Sequence, residues 1–206
     1  MVTILGGGTP STENPAFWNG DIPWVSPKDM KVSEVGDSID KITPEAIDNS
    51  AASLIPANST LVVVRSGILA RTVPVAITTC PLAVNQDIKA LCPERDVDPR
   101  FLQHFMHAVE PFLLKKVTRG ATVHRLSTDD LRALPFPKLS LSEQRRIVAI
   151  LDEAFALIAT ATANAEKSLS DAKSLFAEFL SGTRGCRLGS ASGRLRDRIK
   201  IGRSER

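Results

Sequence analysis

One stretch of about 40 residues constrains the fold more than any other part of the chain. Residues 140–180 contain neither Pro nor Gly. Ser140 and Glu143 have the spacing of a capping box, which marks a helix start. The stretch predicts one helix of about 60 Å at the usual rise per residue. Gly182 follows directly and favours a C-terminal stop at that point.

This helix carries apolar and small residues at alternating spacings of four and three, which is the pattern of a coiled-coil seam. The seam residues are Ile147, Leu151, Ala154, Ile158, Ala161, Ala165, Ser168, Ala172, Leu175 and Phe179. Small residues occupy its middle and large ones its ends. Two antiparallel helices would therefore bring their Ala-rich centres together. The alternative is a helix that folds back on its own domain, since the same spacing suits any long packed helix.

Length and composition indicate one domain of about 140 residues in addition to the helix. The N-terminus lacks the charged start and long apolar stretch of a secretory signal. We expect no transmembrane segment, because no uninterrupted apolar run is long enough to cross a bilayer. Cys80, Cys92 and Cys186 are widely spaced and odd in number, which favours reduced thiols and a cytoplasmic protein.

The formal net charge of +3 conceals an uneven distribution. Residues 183–206 hold eight Lys and Arg against two acidic residues, a charge of +6, so residues 1–182 carry −3. The folded body is therefore not a basic protein, and any nucleic-acid binding must come from a local patch. The tail is rich in Gly, Ser and Arg without apolar periodicity, which is typical of a disordered segment.

The body contains both strand and helix signals. The clearest strand covers residues 61–64, a continuous apolar run that favours burial on both faces. Asp98 before Pro99 predicts a helix start, and Pro111 predicts an interruption. Residues 26–29 also have the pattern of a helix start, while two tryptophans within residues 18–24 are typical of a small core or groove wall.

Residues 113–126 form the one conspicuous basic stretch of the body. They contain four Lys and Arg and no acidic residue, with Gly120 to bend the chain. We interpret this segment as a loop that lies on a phosphate backbone. A solvated surface loop is the alternative.

Catalytic and metal-binding signatures do not emerge from the sequence. His104 and His107 are three residues apart, but only one further His exists and no carboxylate has a suitable spacing, so a surface pair is favoured over a metal site. The glycines at 6–8 match neither a dinucleotide fingerprint nor a P-loop. A binding module is therefore favoured over an enzyme.

Six short motifs, in order, resemble the specificity subunit of type I restriction–modification enzymes. They are Gly-Gly-Thr-Pro-Ser (7–11), Trp-Asn-Gly-Asp-Ile-Pro-Trp-Val-Ser-Pro-Lys-Asp (18–29), Arg-Ser-Gly (65–67), Asn-Gln-Asp (85–87), Gly-Ala-Thr-Val (120–123) and Leu-Ser-Glu-Gln-Arg-Arg-Ile-Val (141–148). Each motif alone is weak, but their common order over residues 4–180 is a strong signal.

The resemblance implies a non-catalytic subunit with an α/β (α+β) fold and three segments. These are a globular target recognition domain (1–139), a spacer and dimerisation helix that forms an antiparallel coiled coil (140–181) and a basic tail (182–206). It implies binding of double-stranded DNA and of methyltransferase subunits, together with a separate translocase/endonuclease subunit. S-adenosylmethionine, ATP and Mg would belong to those partners, and this chain would bind no cofactor or metal. The candidate DNA-binding residues are Lys28, Arg65, Lys115, Lys116, Arg119, Thr122 and Arg125.

Full-length members resemble two such units in tandem, with their long helices packed antiparallel. This sequence has one unit, which predicts a half-length form that dimerises. The alternatives are a remnant that acts only as a coiled-coil oligomerisation protein, and a hydrolase whose site carries no recognisable motif.

Overall fold

The computed structural model describes the backbone of residues 2–186 and the side chains of residues 2–181. The described strands are β1 (Val2–Gly6), β2 (Trp18–Val25), β3 (Glu34–Val35), β4 (Lys41–Ile42), β5 (Leu54–Ile55), β6 (Thr60–Val63), β7 (Arg65–Ser66), β8 (Val75–Thr78), β9 (Leu82–Val84), β10 (Ile88–Pro93) and β11 (His124–Arg125). The described helices are α1 (Pro44–Asn49), α2 (Pro99–Ala108), α3 (Glu110–Lys116), α4 (Thr128–Arg132) and α5 (Leu141–Cys186). One compact unit ends at Leu151 and a second begins at Asp152.

A five-stranded sheet forms the main core of the first unit, with the strand order β1-β10-β6-β8-β3. Strand β6 lies at its centre between antiparallel neighbours β10 and β8, and all its residues are buried. The prediction of a buried strand at 61–64 is therefore confirmed. Leu102 and Met106 of α2 belong to the same core, because their apolar face covers the sheet.

A second, smaller core forms around a four-stranded sheet with the order β4-β2-β9-β5. The rings of Trp18 and Trp24 meet edge to face with centroids 5.4 Å apart. The indole N–H of Trp24 donates to the carbonyl of Gly8 at 3.0 Å. The tryptophan pair thus packs in a core, as the sequence predicted. It also holds the glycine loop (residues 6–8) against this core.

The glycine loop needs glycine for space. No described glycine has a positive φ, so the reason for glycine here is not an unusual backbone conformation. A Cβ at Gly7 would instead lie 1.8 Å from the carbonyl oxygen of Val84. A Cβ at Gly8 would lie 2.6 Å from the backbone of Ala51. The loop therefore passes directly against two neighbouring segments.

Helix starts predicted from the sequence had mixed outcomes. The carboxylate of Asp98 accepts the amides of Arg100 and Phe101, which confirms the start of α2. The helix breaks at Val109, ahead of Pro111, and α3 follows. The helix expected at residues 26–29 is absent from the structure, because the Asp29 carboxylate accepts the backbone and hydroxyl groups of Ser26 and closes a turn.

The long helix begins where it was predicted. The Glu143 amide donates to the Ser140 hydroxyl at 3.3 Å, whereas the Glu143 carboxylate binds Arg146 and not the start of the helix. Because the helix runs through Gly182 to Cys186, the predicted stop at Gly182 was wrong. Residues 187–206, with most of the basic tail, lie outside the described part of the chain.

By length and composition alone, residues 141–181 of α5 could cross a membrane. Charged residues interrupt this stretch, so it contains no uninterrupted apolar run of that length, and the prediction of no transmembrane segment is not contradicted. One such helix is weak evidence for insertion, since other kinds of helix pass the same test. Some apolar residues of α5 belong to the coiled-coil seam, whereas others, such as Phe155, Leu169 and Phe176, lie beside it.

Candidate nucleic-acid interface

A short hairpin carries the centre of the basic stretch. Thr118 and Arg125 exchange backbone hydrogen bonds of 2.8 and 2.9 Å, and β11 then pairs with β7. The Leu126 amide donates to the Val64 carbonyl at 2.8 Å, directly beyond β6. Segment 118–125 is therefore held at the end of the central strand of the sheet by backbone hydrogen bonds. We call this segment the basic hairpin.

The basic hairpin brings two arginines together. Arg65 of β7 and Arg125 of β11 are direct cross-strand partners. Like charges at such positions disfavour the sheet. The Nε–H of Arg65 donates to the carboxylate of Asp87, which compensates one of the two charges.

The other cations of the basic stretch have no such compensation. Among the described residues, no carboxylate pairs with Arg125, Arg119, Lys115 or Lys116. Thr122 belongs to the basic hairpin, and its carbonyl would be 3.3 Å from a Cβ at Gly67. Cations without a carboxylate partner attract an anion, because a phosphate would replace the missing counter-charge.

Lys115 and Lys116 lie in the last turn of α3 and not in a loop, which corrects the sequence interpretation. Lys116 Nζ lies 5.6 Å from the ring centroid of Phe112. Cations at a helix C-terminus also interact favourably with the helix dipole. Both lysines therefore have a structural reason to be there, in addition to any contact with phosphate.

Lys28 differs from the hairpin cations. Its Nζ lies 2.6 Å from Asp40 Oδ2. This hydrogen bond raises the pKa of Lys28, so the side chain stays charged. None of the contacts described for the chain connects Lys28 with the basic hairpin. Its positive charge is already balanced, so it is the weakest of the candidate residues on structural grounds.

A polar network behind Arg65 was not assigned a role from the sequence. Asp87 binds Arg65 through its side chain, and its backbone carbonyl accepts the amides of Val64 and Arg65. Gln86 next to it accepts the Thr9 hydroxyl at 2.7 Å. The glycine loop and the arginine are thus connected through the Asn-Gln-Asp motif. The motif was visible in the sequence, but its partners are distant in the chain.

Groups suited to catalysis are sparse in the described residues. No cluster of three or more His, Cys, Asp and Glu side chains could hold a metal ion there. His107 lies on an exposed part of α2, where desolvation lowers the pKa of its ring and favours the neutral form. Cys80 and Cys92 are free thiols. An apolar cavity of about 860 Å³ lies between β1, α2 and residues 131–139.

The second unit presents a long apolar surface on α5. Large exposed side chains follow its length: Phe155, Leu157, Ile158, Leu169, Leu175, Phe176, Phe179 and Leu180. The small seam residues Ala161, Ala165 and Ala172 are exposed as well, whereas Ile147, Leu151 and Ala154 are half-buried. Within the first unit Gln144 and Val148 are buried. The first turns of the helix therefore pack within the first unit, and the exposed part of the seam begins at Ile158.

A mixed α/β domain followed by a long C-terminal helix is the architecture of type I specificity chains. A chain from a structure on complex assembly and conformational transition of the type I R-M system matches 84% of this chain with TM-score 0.66 at 21% identity, over 41% of that chain. The HsdS subunit from Thermoanaerobacter tengcongensis matches 77% with TM-score 0.52 at 19% identity, over 36% of that chain.

The chain belongs to the family of the type I restriction modification DNA specificity domain, which matches residues 1–168. It is 41% identical over 150 residues to the type I restriction enzyme EcoR124I/EcoR124II specificity subunit of Escherichia coli. That alignment covers 72% of this chain and 37% of the relative, so the chain spans little more than a third of its length. The family resemblance and fold class predicted from the motifs are thereby confirmed.

Proposed function

We propose that this chain is a DNA sequence-recognition subunit of a type I restriction–modification system and binds one half of a bipartite site. The observation that carries the proposal is the basic hairpin. Its Arg125 faces Arg65 across a strand pair in a body of net charge −3. The negative net charge of the body does not attract it to DNA, so a local group of cations must supply the phosphate contacts.

The chain acts without chemistry of its own. Methyltransferase subunits would supply S-adenosylmethionine, and a translocase/endonuclease subunit would supply ATP and Mg chemistry. We expect all of them to work in the cytoplasm, where the DNA is. The docking of the methyltransferase onto this chain follows from the family resemblance.

Two copies associate through α5 in this proposal. A single helix with Phe, Ile and Leu along its face would leave a large apolar strip in water. An antiparallel pair would cover the strip and place two recognition domains in twofold symmetry. Identical domains related in this way read an inverted repeat with an unread gap between its halves.

The test is selection from a library of randomised duplexes by the full chain, with and without methyltransferase subunits. We expect a gapped inverted repeat to be enriched and its affinity to fall steeply with salt. The rival, a coiled-coil oligomerisation protein, would form the same dimer but enrich no sequence. Methyl transfer by the purified chain alone would contradict the non-catalytic role.

A further inference from the structure

One buried amide side chain holds three segments of the recognition domain together. Gln144 lies in the first turn of α5 and is only 1% exposed. Its Oε1 accepts the amide of Asp98 at 2.8 Å. Its Nε2 donates to the carbonyls of Asp96 at 2.9 Å and Leu139 at 3.0 Å. The side chain thus joins α5 to the start of α2 and to the linker before α5.

The chemistry of this site requires an amide. Two carbonyl oxygens need two N–H donors on one side, and the Asp98 amide needs an acceptor on the other. Glutamine supplies the two N–H donors and the acceptor in one planar amide group. Glutamate would set a carboxylate against two carbonyl oxygens and leave buried polar atoms unpaired, which is costly.

Neighbouring contacts strengthen the same junction. Asp98 also caps α2 through its carboxylate, and Arg145 Nε lies 3.7 Å from that carboxylate. Val148, one turn further along α5, is buried. These contacts lie inside the first compact unit, although they use residues of the spacer helix.

We infer that Gln144 is a positioning residue that anchors the first turn of the spacer helix to the recognition domain and so narrows the range of gaps between half-sites that a pair of these chains can bind. This inference rests on the proposed function. A helix that could pivot at its first turn would tolerate different gaps. A helix whose first turn is held by three hydrogen bonds restricts the gap between the half-sites. Gln144 itself touches no DNA in this role.

The experiment compares Gln144→Glu and Gln144→Met with Gln103→Glu. Gln103 is a matched control, because it is also buried and its Nε2 donates to the Ser33 carbonyl inside the domain. Binding is measured to duplexes with the selected gap and with one base pair more or fewer, a step of about 3.4 Å per base pair. The second readout is amide hydrogen exchange of residues 141–151 without DNA.

We expect the preference for the selected gap to fall at least about fivefold in both Gln144 variants, since the loss of even one hydrogen bond of ordinary net strength corresponds to that factor. The control should keep the wild-type preference even if its melting temperature falls. Exchange in residues 141–151 should accelerate only in the Gln144 variants.

An unchanged gap preference in both Gln144 variants, with exchange no faster than in the control, would overturn the inference. If the wild-type chain binds no duplex at all, the proposed function fails. The exchange measurement then still decides whether Gln144 anchors the helix.

Discussion

The pairing of α5 in a dimer can be tested by placing a charge in the exposed part of the seam. We choose Ile158→Asp with Leu175→Asp, because these side chains are 59% and 67% exposed in one copy. Leu151 also belongs to the seam, but it is half-buried in the first unit. A charge at that position would disturb the recognition domain as well.

The magnitude follows from the area left to bury. Full burial of an Ile or Leu side chain gains about 1.5–3 kcal/mol, so at these exposures roughly 1–2 kcal/mol per side chain remains available. Twofold symmetry uses each residue twice, and the four side chains then contribute about 4–8 kcal/mol. Their loss should weaken the dimer by at least about 10³-fold.

Sedimentation velocity over a range of concentrations measures this change. The control is Ala163→Asp with Ser170→Asp, which adds the same charges on the face opposite to the seam and should leave the dimer intact. A wild-type chain that stays monomeric at high micromolar concentration would refute the reasoning. Equal dissociation of both double variants would show that charge alone, and not the seam, governs association.

Three further predictions concern the recognition domain. Lys115→Ala with Lys116→Ala should reduce the slope of log affinity for DNA against log salt concentration by about one unit per lysine. An unchanged slope would show that these lysines contact no phosphate. Gly7→Ala should destabilise the fold by at least about 1 kcal/mol in thermal melts, because its methyl meets a backbone oxygen at 1.8 Å, whereas Gly67→Ala should cost less. Desolvation lowers the pKa of the exposed His107, so stability should fall slightly as the pH drops through the unfolded value of about 6.5, and His107→Gln should reduce this loss.

Local patterns carried the prediction of several elements. The apolar run at residues 61–64, the Asp98 cap and the start of the long helix are each encoded within a few residues, and the structure has all three. The helix at residues 26–29 failed for a local reason too. A carboxylate three residues after a serine can close a turn as readily as it can begin a helix.

The candidate site was only partly visible from the sequence. The basic stretch stood out by charge, but its division into a helix end and a hairpin depends on pairing with β7, which lies some 60 residues earlier. The Arg65–Asp87 pair and the Gln144 anchor join residues 22 and 46 positions apart. Such partners cannot be read from spacing, because strand register and domain packing decide which distant groups meet.

The sequence by itself determined the family, the mixed α/β class, the long helix and its apolar seam, since motif order and helical periodicity are properties of neighbouring residues. Only the tertiary structure decided that Arg125 faces Arg65, that Lys28 is already paired, and that the spacer helix is fastened through one glutamine. The physical reason is that charge compensation and the pairing of buried polar groups depend on which groups lie within hydrogen-bonding distance, and chain folding sets those distances.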